Sequence, residues 1–144
     1  MADPTEARAL VERLGMQPHP EGGRFVETYR APCAEGERSA VSLIYFLLQA
    51  GEASRWHRVD AVEVWHWYAG APLLLTVSED GRTARPRQLG SDFAAGQQAH
   101  LVVPKGAWQT AESLGAYTLV GCTVSPAFDF AGFEMAPEGW RPGA

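Results

Sequence analysis

Beyond Pro18 the chain stops keeping a helical period and advances in short runs separated by turn residues. The runs are FVETYR, SAVSLIYFLL, AVEVWHWYA, LLLTV, RPRQL, HLVVP, AWQTA and YTLVGCTV. Each is of strand length, and Gly, Pro or Asp punctuates the series, as the 15 glycines and 10 prolines require. Phe25, Glu27 and Tyr29 fall on one face of the first run and Val26, Thr28 and Arg30 on the other. Asp80-Gly81 between LLLTV and RPRQL is hairpin-turn chemistry. LIYFLL is apolar on both faces, so it needs cover on both sides. An all-β fold in two layers, a jelly-roll barrel rather than an open meander, follows from this pattern.

One segment stands apart. In MADPTEARALVERLG, Asp3 is placed to cap a helix, Pro4 suits its first position and Gly15 its end. Leu10, Val11 and Leu14 make an apolar stripe that would lie as a cover on the larger β-structure. No repeat, low-complexity block or linker divides the chain. The expectation is a single domain over residues 1–144, with the helix at about 3–14 and the barrel at about 24–135.

Charge narrows the partners. The formal net charge of −5, with Lys105 the only lysine and the arginines scattered, argues against a nucleic-acid binder. The longest apolar run, Leu43 to Leu48, is too short to span a bilayer, and the acidic N-terminal segment lacks the apolar stretch of an export signal. A cytoplasmic protein with no membrane partner is expected. Cys33 and Cys122 lack metal-ligand spacing and read as unpaired thiols in a reducing compartment.

Chemistry concentrates in GEASRWHRVDAVEVWHWYAG, Gly51 to Gly70. On an extended strand Glu63, Trp65 and Trp67 project to one side, and Val62, Val64, His66 and Tyr68 to the other. A carboxylate walled by tryptophans loses water, which raises its pKa towards the acid–base range. His57 lies six residues earlier, across a segment where a strand reversal can bring the two side chains together. A histidine and a glutamate in an aromatic cavity make either a metal site or an acid–base site. His66 reads as a structural histidine on the opposite face. His19 and His100 carry no spacing signal, while Trp56 and Trp108 are expected to point out of the barrel.

The spacing Gly51-x5-His57-x-Val59-x3-Glu63-x6-Gly70 resembles the first motif of the cupin superfamily, with Val59 where a second histidine usually stands. Pro104-Lys105-Gly106-Ala107-Trp108-Gln109 resembles the second motif, with Gln109 in place of its histidine. The resemblance implies the cupin double-stranded β-helix, a jelly-roll barrel with the site inside. Metal-binding cupins use three histidines and a glutamate. Here only His57, Glu63 and the amide of Gln109 could serve, so no cofactor is expected beyond a weakly held divalent metal.

HPEGGRFVETYRA, SLIYFLL and the Gly51–Leu73 segment together resemble small bacterial and fungal cupins described as predicted sugar epimerases. EGGRFVETY and SRWHR are also similar to segments of dTDP-4-dehydrorhamnose 3,5-epimerases, metal-free enzymes in which a histidine removes a proton beside a sugar ketone. By that resemblance His57 would be the base and Glu63 its orienting carboxylate, with Phe25, Glu27, Tyr29, Tyr45, Trp65, Trp67 and Gln109 as candidate ligand contacts. The epimerase tyrosine that returns the proton has no counterpart in Val120–Ser125; Tyr29, Tyr45 or Tyr117 would have to replace it. The implied function is an isomerase- or epimerase-like enzyme acting next to the carbonyl of a sugar-like or small oxo-substrate. The alternatives are a non-catalytic ligand-binding cupin, a sensor or carrier, and a metal-dependent cupin enzyme. A homodimer formed by sheet extension is expected.

Overall fold

The computed structural model describes residues 4–143. Helix α1 spans Pro4–Leu14. It ends where Gly15 takes φ +70°, with the Gly15 amide donating to the Glu12 carbonyl and that of Met16 to Val11, closing the last turn. Ala7, Leu10, Val11 and Leu14 pack with Met16 on Leu47, Tyr117 and Leu119, so the stripe covers a β-surface. The Asp3 cap lies outside the described residues.

Among the described residues eleven strands come after the helix: β1 Gln17–Pro18, β2 Arg24–Arg30, β3 Ser42–Gln49, β4 Ala53–Val59, β5 Val62–Gly70, β6 Leu73–Ser78, β7 Arg85–Leu89, β8 His100–Val103, β9 Trp108–Ser113, β10 Tyr117–Ser125 and β11 Phe133–Met135. They form two antiparallel sheets, one ordered β1-β2-β3-β10-β5-β8 and the other β11-β4-β9-β6-β7. This is the all-β, two-layered jelly roll that the strand pattern implies, with α1 on the outside. The β6–β7 hairpin turns through Asp80-Gly81 as expected. The Asp80 carboxylate accepts from the backbone N–H groups of Arg82 and Thr83, which holds it well below the ordinary range, at about 2.

The core fills the space between the sheets. Phe46, Leu48, Trp65, Val120 and Cys122 from one meet Leu73, Leu75, Val77, Leu89 and Ala111 from the other. The alternation read in β5 holds: Glu63 and Trp65 are buried, whereas Val62 and Tyr68 are exposed. Pattern reading did not isolate β4 or β11. β4 carries a register shift between Ser54 and His57 against β9. That bulge lets residues three apart, which strict alternation would send to opposite faces, both turn inward. A second shift, between Glu27 and Tyr29 in β2, has the opposite consequence. Phe25 and Glu27 keep facing inward, but Tyr29 leaves their face and is half exposed.

Candidate active site

The centre of the site is a side chain that sequence pattern did not single out. Glu21 sits in the turn between β1 and β2, with its side chain buried. The two glycines after it force the turn. Gly22 and Gly23 adopt φ +110° and +77°, and a Cβ on either would stand 2.7 Å from the Ala53 carbonyl oxygen or 2.8 Å from that of Leu47. Only glycine allows the chain this close to β3 and β4. The Arg55 amide then donates to the Glu21 carbonyl at 2.7 Å, pinning the turn over the open end of the barrel.

Three polar groups surround the Glu21 carboxyl. The Ser54 hydroxyl donates to Oε2. His57 Nε2 lies 3.5 Å from the same oxygen, and His19 Nδ1 lies 3.4 Å from Oε1. His57 Nδ1 is 2.7 Å from the Arg55 carbonyl. A carbonyl can only accept, so Nδ1 carries the proton and Nε2 presents a lone pair to Glu21. The ring is further fixed by stacking on Phe133, with centroids 5.4 Å apart. The orienting acceptor for His57 is thus the Arg55 backbone and not the Glu63 carboxylate. His19 accepts from the Glu21 amide at 3.1 Å and sets its ring edge-on to Phe25.

Glu63 approaches from the opposite sheet. Its Oε1 accepts from Gln109 Nε2 at 2.8 Å, and Gln109 Oε1 accepts from the Trp65 indole at 2.9 Å. The indole can only donate, so it fixes which end of the amide faces Glu63. Gln109 is wholly buried and pairs with His57 in register on adjoining strands. Its two amide atoms are engaged behind the cavity wall. Trp65 likewise serves as core and as support for Gln109, and Trp67 donates to the Ala71 carbonyl. Neither tryptophan lines the cavity, and Tyr45 lies in the outer cluster under α1.

Burial decides the charge states. It pushes Glu21 up to about 8 against the opposing Ser54 hydrogen bond. It pushes Glu63 up to about 7, with the charge of His57 opposing and that of Glu21 adding. His57 is lowered by burial, although Glu63 and the Arg55 carbonyl pull the other way. His19 falls to about 4, through burial first and His57 second. At neutral pH Glu21 is a carboxylic acid and His57 a neutral base, so their contact is an acid–base pair rather than a salt bridge.

These groups open into a cavity of about 430 Å³, walled by Phe25, Ile44, Val59, Val124, Phe128 and Phe130 and rimmed by Glu27, Arg30 and Asp129. The sequence expectation brought His57, Glu63, Phe25 and Glu27 to this space and missed Glu21, His19 and Ser54. Tyr29, Tyr45, Trp65, Trp67 and Gln109 lie outside its lining. Elsewhere, His66 is hydrogen-bonded to Thr123 on the outer face, and Trp56 and Trp108 pack on Trp140 outside the barrel.

The donors do not fit a resident metal of the cupin kind. Val59 cannot ligate, and both amide atoms of Gln109 are hydrogen-bonded. Among the described residues no three His, Cys, Asp or Glu side chains are grouped to hold a metal ion. Nor is any helix there long and apolar enough to cross a membrane.

Comparison with known proteins places the fold in context. A Shewanella oneidensis protein of solved structure is 37% identical, covering 90% of this chain and 84% of its own, with a TM-score of 0.86. A hypothetical protein from Leishmania major is 31% identical, covering 93% and 89%, with a TM-score of 0.84. KdgF from Halomonas sp. shares the fold at 14% identity, covering 81% and 89%, with a TM-score of 0.60. No curated protein matches. The model of the family described as Cupin superfamily (DUF985) matches residues 8–136, nearly the whole barrel and most of α1, and the chain belongs to that family.

Proposed function

We propose that this cupin is a proton-transfer enzyme of the isomerase type, acting next to the carbonyl of a sugar-like or small oxo-substrate. The observation that carries the proposal is the buried pair of His57 Nε2 and Glu21 Oε2, 3.5 Å apart at the wall of a cavity of substrate size. His57 Nε2 takes the proton from the carbon beside the carbonyl, and Glu21 gives its proton to the carbonyl oxygen. An enediol results, with an imidazolium and a carboxylate. Return of the His57 proton to the former carbonyl carbon, as Glu21 recovers a proton from the hydroxyl of the carbon first deprotonated, completes an isomerisation and restores both groups. Return to the original carbon gives exchange alone.

Geometry favours one side of the substrate. A two-base epimerisation needs acid and base on opposite faces with a carbon between them, and 3.5 Å leaves no room for one. Glu21 thus takes the place left by the missing late tyrosine as proton donor, but from the same face as the base. Glu63, held by Gln109, adds a second carboxyl whose charge steadies the imidazolium.

The test is incubation with keto-sugars and small oxo-compounds in deuterated buffer, followed by proton NMR. Enzyme-dependent loss of the signal from hydrogen on the carbon beside the carbonyl is expected. Ligand binding without exchange would instead support a sensor or carrier.

A further inference from the structure

The rim and lining of the cavity carry one cation and four carboxyl groups among the described residues: Arg30 against Glu21, Glu27, Glu63 and Asp129. A site for a carboxylate- or phosphate-bearing substrate needs a guanidinium or ammonium with donors turned to the ligand. Arg30 is already paired. Its Nε and one terminal nitrogen grip both oxygens of Glu27 at 2.9 and 3.0 Å, and that nitrogen also donates to the Phe128 carbonyl at 2.9 Å. Arg38, which shares the influence of Asp129, is clamped on Asp60 by two bonds of 2.9 and 2.8 Å and on the Ala127 carbonyl. The two histidines that face the cavity are kept neutral by burial.

From this we infer that the substrate is an uncharged polyhydroxylated oxo-compound, and that anionic analogues, nucleotide-linked or carboxylated, are rejected. The inference rests on the proton-transfer proposal only for the oxo group; the charge class stands on the rim. Carboxylate oxygens accept the hydroxyl protons of such a ligand, and Phe25, Phe128 and Phe130 give its C–H faces an apolar wall. An anion would meet Glu27 and Asp129 at the rim and Glu63 inside, with no unpaired cation to offset them.

The experiment uses matched ketoses: D-fructose, D-fructuronate, in which a carboxylate replaces one hydroxymethyl group, and 1-amino-1-deoxyfructose. Binding is measured by calorimetry or ligand-observed NMR at low salt, and exchange by the deuterium assay. Fructose is expected to bind at least tenfold more tightly than fructuronate. Glu27→Gln, which releases Arg30 to face a ligand, should narrow that ratio by improving fructuronate binding. Equal or tighter binding of fructuronate or of the amine by the wild type overturns the inference, as does binding by none of the three. Fructose binding without exchange sustains the charge class and overturns the proton-transfer proposal, so the two failures are distinguishable.

Discussion

Glu21→Gln is expected to lower the exchange rate by roughly a hundred- to ten-thousand-fold, the range for loss of a positioned general acid. The substitution keeps the shape and most of the hydrogen-bonding capacity of the side chain, so the loss reports the proton. The pH profile gives the sign. Glu21 acts as the acid, so activity holds below its raised value of about 8 and falls as pH rises through it. His57 acts as the neutral base, and its value lies below the ordinary histidine range, so the acidic limb falls beneath pH 6.5. A bell with its alkaline limb near 8 is expected of the wild type, and its two apparent values belong to the pair. Glu21→Gln should remove the alkaline limb from the residual activity. Retention of that limb would assign it to another group.

His57→Gln is expected to cost as much as Glu21→Gln, and the double variant little more than either alone. Groups that act in one proton-transfer step fail together, so their effects do not add. Additive losses, with the double variant slower by the product of the two factors, would mean that the residues act in separate steps. His57 is also enclosed and stacked on Phe133. Glutamine keeps a polar side chain within reach of Arg55 and Ser54, which limits the cavity and separates lost activity from lost folding. Thermal denaturation of each variant checks that separation.

The fold was legible because strand alternation and turn chemistry act locally. Glu63 and Trp65 turned inward, and α1 lay down as a cover, for reasons visible within a few residues of each. His57 and Glu63 could be paired because they stand at a recognisable spacing across one strand reversal. Glu21 could not. Its burial comes from a glycine pair that lets the turn fold back over β4, and a carboxylate beside Gly-Gly reads locally as an exposed turn. The signal available was its place in HPEGGRFVETYRA, a segment already matched to the family resemblance. Ser54 was hidden for a different reason: strict alternation sets it on the opposite face from His57, and only the β4 bulge turns both inward. The β2 bulge did the reverse, taking Tyr29 off the face that alternation shares with Phe25 and Glu27. Tyr45 lies on the outer side of its strand beneath the helix, where its ring meets Tyr68 with centroids 5.6 Å apart.

These placements change the chemistry more than the fold. With only His57 and Glu63, the cavity has a base and a carboxylate but no proton donor. Glu21 supplies one, and its hydrogen bond from Ser54 leaves the second oxygen towards His19. The Gln109–Trp65 chain holds Glu63 without using a charge, in a position where a histidine would have made a metal ligand.

The proposed chemistry needs a protonated carboxyl facing a neutral imidazole inside the barrel, and a carbon NMR titration of protein labelled at the glutamate side-chain carboxyls reads that carboxyl itself. One resonance, absent from Glu21→Gln, should titrate at about 8 and remain in its acid form at neutral pH. Titration of every glutamate below about 5, the ordinary range for a solvated carboxyl, would mean that Glu21 is ionised at neutral pH and is not the acid.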